Sequence, residues 1–156
     1  MSEGLFLSAY SDVSGRYAIL DEDEQSGVLY LTQPGTQKLE RDALAYIQYQ
    51  PLSEKAWRST RCNGGLPSLH EGLVSKHAVI MDTSEQDFGF LWSSDGHSVA
   101  LLYKQAPIAF VTPGEKYGFS QAVISDSPIV SAWDSEKFSQ LFESPLPRRF
   151  RPSPYA

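Results

Sequence analysis

The densest run of ionisable side chains is Asp21-Glu22-Asp23-Glu24. Four adjacent carboxylates repel one another, so they stay in water unless cations share the charge. One chemistry that suits such a run is calcium binding. A calcium loop follows D-x-[DN]-x-[DN]-G and closes on a bidentate Glu at its twelfth place. Asp21 and Asp23 fit that pattern, but Gln25 and Thr32 do not, and Gly27 falls one place late. Another is a docking surface for a basic protein, where clustered acids speed encounter and select against wrong partners. The plainest is a solvated turn that keeps strand edges from aggregating. Asp82, Glu85 and Asp87 form a second, sparser acidic turn that would serve the same docking surface.

Cys62 raises nucleophilic chemistry. Arg58 and Arg61 flank it and would lower a thiol pKa, His70 and His77 follow, and Asp82 is available to orient an imidazole. A small thiol-dependent hydrolase centred on Cys62 and His77 is therefore an alternative reading, although the flanking signature of a thiol protease is missing. The histidines at 70, 77 and 97 show neither i, i+4 spacing nor an H-x-H pair, and there is one cysteine, so a zinc site is not expected. No G-x-G-x-x-G, Walker or G-x-S-x-G pattern occurs, and no cofactor is expected. Trp57, Trp92 and Trp133, with Tyr10, Tyr30, Tyr46, Tyr49 and Tyr103, supply aromatic mass. Most of it belongs to a core, and the part that alternates onto a wet sheet face would anchor a protein partner.

Composition bounds the setting of these groups. At 156 residues, with 41% hydrophobic and 12% aromatic residues, the chain can bury a real core. It reads as a single domain over residues 1–144 followed by a tail at 145–156. The tail holds four Pro and three Arg and no acid, so it suits an extended segment or an adaptor that docks elsewhere. The formal net charge is −6, and without the tail's arginines ten basic residues face nineteen acidic ones. That balance argues against a nucleic-acid partner, whose phosphates need neutralising, and favours a cationic one. One cysteine excludes an internal disulfide. The N-terminus lacks a basic segment ahead of a long apolar run, and no window reaches the roughly 18 apolar residues of a membrane span, so a cytoplasmic protein is expected.

The elements that must position these residues are strands. Period-two runs occur at Leu5–Tyr10, Tyr17–Leu20, Val28–Thr32, Ala43–Tyr49, His77–Met81, Phe88–Trp92, Val99–Lys104, Ile108–Val111 and Phe119–Ile124. Asp95-Gly96 marks a hairpin tip, and a second reversal at Lys104-Gln105-Ala106 makes a three-strand meander. Asp134 caps one helix over Ser135–Phe142, where Phe138, Leu141 and Phe142 share a face, and Pro145 and Pro147 stop the helix. Residues 51–72 read as a long loop with a short helical turn near Leu52–Arg58. The fold class is mainly β (α+β): an antiparallel sheet or sandwich-like domain with one C-terminal helix.

Over residues 17–111 the order of motifs resembles a family of small bacterial proteins. The acidic opening Tyr17–Tyr30, the strand Asp42-Ala43-Leu44-Ala45-Tyr46-Ile47, the hairpin Phe90-Leu91-Trp92-Ser93-Ser94-Asp95-Gly96 and the runs Ala100-Leu101-Leu102 and Ala106–Phe110 carry the likeness. The W-S-x-D-G piece is its most specific part. Residues 51–85 stand as an insertion and the glycine after the acids is displaced to Gly27. Such proteins resemble the immunity proteins of contact-dependent or type VI antagonism. The resemblance implies a non-enzymatic protein that neutralises a cognate toxin; read with the acidic clusters, it gives a basic toxin steered by Asp21, Glu22, Asp23 and Glu24 and by Asp82, Glu85 and Asp87.

Overall fold

Alternation of buried and exposed residues builds the first sheet. The computed structural model describes residues 4–49, Lys55 and 72–142. Strands β1 (Phe6–Tyr10), β2 (Tyr17–Glu22), β3 (Ser26–Thr32) and β4 (Leu39–Ile47) pair antiparallel in that order as sheet I. In β2, Ala18 and Leu20 are buried while Tyr17, Ile19 and Asp21 point the other way; in β3, Gly27, Leu29 and Leu31 are the buried set.

Sheet II holds β5 (Phe88–Trp92), β6 (Val99–Tyr103), β7 (Ala106–Val111), β8 (Phe119–Ser120) and β9 (Ser131–Ala132), also in sequence order. Every pair is antiparallel except β8 with β9. The tip between β5 and β6 puts Gly96 at φ +73, and a side chain there would also strike Ser11 and Ser14 of the β1–β2 loop. Lys104 and Gln105 both take positive φ at the β6–β7 reversal, as a tight hairpin turn requires.

One core lies between the sheets. Leu20, Leu29, Leu31, Ala43 and Ile47 of sheet I meet Val99, Leu101, Ala109 and Val111 of sheet II. Each fully buried Leu, Ile or Val there contributes about 1.5–3 kcal/mol. The opposite face of sheet II is covered too. Ala100, Phe110 and Phe119 lie under Trp133 and the helix α1 (Ser135–Phe142), which supplies Phe138, Leu141 and Phe142. An eight-residue helix is too short to hold its shape alone, so this aromatic packing sustains it. Asp134 caps it as its spacing predicts: Asp134 Oδ1 accepts the Lys137 N–H at 2.9 Å. Lys137 also pairs with Glu115 at 2.7 Å, and Arg41 of β4 donates to the Glu115 carbonyl at 2.9 Å.

The fold is therefore mainly β with two sheets and, among the described residues, a C-terminal helix, as the sequence predicts. Two expected strands shrink. Among the described residues His77–Met81 is reduced to a bridge between Val79 and Ile47, the last residue of β4. Phe119–Ile124 keeps its first two residues, beyond which Val123 bridges to Val74 instead. The expected helical turn near Leu52–Arg58 (Lys55 aside) and the tail at 145–156 lie outside the described residues. No helix among the described residues is long and apolar enough to cross a membrane.

Candidate functional site

The acidic run divides by strand parity. β2 continues through Glu22, so Asp21 points outward with Ile19, whereas Glu22 follows Leu20 and turns inward. There its carboxylate collects four donors: Tyr46 Oη at 2.6 Å, Thr83 Oγ1 at 2.5 Å, Gln48 Nε2 at 3.2 Å and the Leu5 N–H at 3.2 Å. Burial, reinforced by the hydrogen bond to Glu22, pushes the Tyr46 phenol far above its ordinary pKa, so it stays a donor. Gly27 makes this possible, since a Cβ there would sit 2.2 Å from the Tyr46 ring. Glu22 is thus committed to the fold, which sets it apart from the steering acids it was grouped with by sequence.

Its neighbours are solvent-facing. Asp23 Oδ1 accepts the Gln25 and Ser26 N–H groups at 2.7 and 2.8 Å and shapes the β2–β3 turn, while Glu24 is exposed. The Thr83–Glu22 bond draws the second acidic turn to the first. Asp82, at φ +53, and Glu85 are exposed, and Asp87 is half-buried at the end of a short 3-10 turn, Glu85–Asp87. Two stretches separated by some sixty residues thus meet through a half-buried polar contact.

The outer face of sheet I carries the other half of the site. Phe6, Ser8 and Tyr10 of β1 pair with Asp21, Ile19 and Tyr17 of β2, so their side chains stand on one surface. Phe6 is 64% exposed and Tyr10 55% exposed. The Tyr10 and Tyr17 rings lie 4.9 Å apart. On β3, Tyr30 is paired with Ile19 on one side and Asp42 on the other. Partial burial raises its phenol pKa, and the carboxylates of Asp42, Asp21 and Asp23 raise it further, so the ring stands in a negative field. Sequence reasoning missed Phe6, Tyr17 and Asp42 as surface residues. The signal was present: once Asp21 is set outward, every second residue of β2 and its cross-strand partners follow.

A second polar hub holds the opposite end of sheet I. Arg16 is 5% exposed; its guanidinium donates to the Thr32 carbonyl at 2.8 Å, Glu40 Oε1 at 2.5 Å and His97 Nδ1 at 3.0 Å. His97 therefore carries its ring proton on Nε2 when neutral. This hub ties the β1–β2 loop to the W-S-x-D-G hairpin across 81 positions of sequence, a separation that no local pattern announces.

Other chemistry is more thinly represented. Exposed His77 stands with Lys76 beside a cleft of about 430 Å³ lined also by Ile80, Tyr103, Ile108 and Gln121. Cys62 and His70, which would complete a thiol site, lie outside the described residues. Among the described residues no group of three or more His, Cys, Asp or Glu is placed to hold a metal ion. No protein-family model, curated protein or solved structure matches this chain.

Proposed function

We propose that this chain is a toxin-neutralising immunity protein that binds a basic partner through the outer face of sheet I and occludes its active site. The observation that carries the reading is the juxtaposition on that face of exposed Phe6 and Tyr10 with Tyr30 and the carboxylates of Asp21, Asp23 and Asp42. Aromatic side chains supply large contact area at low entropic cost, and interface hot spots are rich in them. The acids around them steer a cationic protein and disfavour an anionic one. The rigid two-sheet body suits occlusion, because a surface that is already ordered loses little entropy on docking. The motif resemblance over residues 17–111 supports the same reading.

The test is growth rescue. The chain is co-expressed with the product of its neighbouring gene in a sensitive host. The wild type restores growth, and Asp21→Lys with Asp23→Asn, which removes the charge but keeps the Oδ1 acceptor of the β2–β3 turn, abolishes the rescue while leaving the thermal unfolding midpoint close to the wild-type value. Rescue that survives both substitutions removes the outer face from the docking surface.

A further inference from the structure

Among the described residues, β1 and β5 are edge strands of their sheets and border one groove. Glu22 donates to the Leu5 carbonyl and Ser11 donates to the Arg16 carbonyl, both at 2.9 Å. These bonds fix the parity of the β1–β2 ladder. Leu5, Leu7, Ala9 and Ser11 face β2 with their backbone groups, so the N–H and C=O groups of Phe6, Ser8 and Tyr10 point away from it. The side chains of these three residues are all exposed. Natural edge strands are guarded by a charge, a Pro, a bulge or a cover. Phe6-Leu7-Ser8-Ala9-Tyr10 contains neither charge nor Pro, and the register shifts of sheet I fall between β3 and β4.

A groove runs beside this edge. It measures about 330 Å³ and is lined by Leu7 and Ser8 on one wall and by Glu85, Gln86, Phe88 and Phe90 on the other. We propose that β1 takes up an extended basic segment of the partner protein as an added strand of sheet I. The inference rests on the docking reading above and names the form the partner takes. Main-chain bonds to Phe6, Ser8 and Tyr10 supply affinity, and alternate side chains are sorted by the two sides of the new strand. Inward residues meet Leu7, Phe88 and Phe90 and must be apolar. The outward side chains stand beside Phe6, Ser8 and Tyr10, with the Asp21 carboxylate one strand further on across from Phe6, within reach of a long Lys or Arg, and Glu85 adds a negative charge to the groove wall.

The same charges decide against other occupants. A second copy would bring these acids against their own kind, which disfavours pairing. The chain's own tail has arginines, but its four prolines remove donors that a ladder needs.

The experiment uses the full chain and a fluorescent synthetic peptide of alternating lysine and valine long enough to span β1, followed by anisotropy and by amide hydrogen exchange. The amides of Phe6, Ser8 and Tyr10 gain protection on binding. A glutamate–valine peptide and a lysine–valine peptide N-methylated at alternate amides do not bind. Ser8→Pro removes one outward donor without touching the β1–β2 ladder and weakens binding about tenfold. If that variant does not fold, the N-methylated peptide makes the same cut from the ligand side. Protection confined to β5, equal affinity for the N-methylated peptide, or no binding overturns the proposal. Protection already present in the free protein also overturns it, as self-pairing where it depends on concentration and as an internal occupant where it does not. If Ser8→Pro still rescues growth while Asp21→Lys does not, strand addition falls and the docking reading stands. If neither substitution affects rescue, the docking reading falls as well.

Discussion

The outer faces of the two sheets are treated in opposite ways. On sheet II, Phe110 is fully buried, stacked on Phe119 at 4.7 Å and met edge-on by Trp133 at 5.2 Å, with α1 laid over the group. On sheet I, Phe6 and Tyr10 stand more than half exposed beside a half-buried Tyr30 ringed by acids. Both faces are aromatic, so composition alone does not separate them. The difference is cover: one face is closed by Trp133, Phe138, Leu141 and Phe142, whereas the other is bordered by Asp21, Asp23 and Asp42. Aromatics kept in water beside carboxylates are what the proposed docking face would offer a partner, while the same residue types under a helix form a core.

Substitutions that separate these two kinds of face fall in a clear order. Phe110→Ala removes the centre of the closed face and should cost about 3–5 kcal/mol in urea unfolding, with no change in partner binding by the fraction that stays folded. Glu22→Ala leaves Tyr46, Thr83, Gln48 and the Leu5 N–H without their acceptor, and about 2–4 kcal/mol of stability should be lost. Phe6→Ala on the open face should move stability by less than about 0.5 kcal/mol yet weaken the complex by roughly tenfold or more, read by calorimetry. A loss of stability at Phe6 equal to that at Phe110 would erase the distinction.

A smaller effect is expected at the hairpin tip. The Ser93 hydroxyl and then the His97 N–H hold the Asp95 carboxyl below the usual carboxylate range. The folded value lies below the unfolded one, so this stabilisation is complete above about pH 4 and is lost as pH falls through the folded value. Because Asp95 is exposed, solvent screens the effect and keeps it small. Asp95→Asn should flatten the acid limb of stability in that window and leave neutral-pH binding unchanged. An unaltered acid limb would mean that these bonds carry no weight.

Local physics made much of the fold legible. Asp95-Gly96, the 138, 141, 142 stripe and the Asp134 cap each depend on residues within a few positions of one another, and each is where the sequence predicts it. The site was half legible for the same reason. The acids at 21–24 were visible as a run, but the inward turn of Glu22 depends on Tyr46 and Thr83, which reach it from other elements. The Arg16–His97 bond joins residues 81 positions apart and has no local signature. Nor does the expected strand at 77–81 fail by propensity; among the described residues it bridges to sheet I at Ile47, a contact set by the tertiary arrangement.

The association rate of this chain with the product of its neighbouring gene, followed across a range of ionic strength, bears most directly on the docking face. The wild-type rate should fall steeply as salt rises, and the Asp21→Lys, Asp23→Asn double variant should associate on the order of tenfold more slowly at low salt with a flattened dependence. Superimposable rates and salt slopes for the two proteins, or no association at all, would contradict the account.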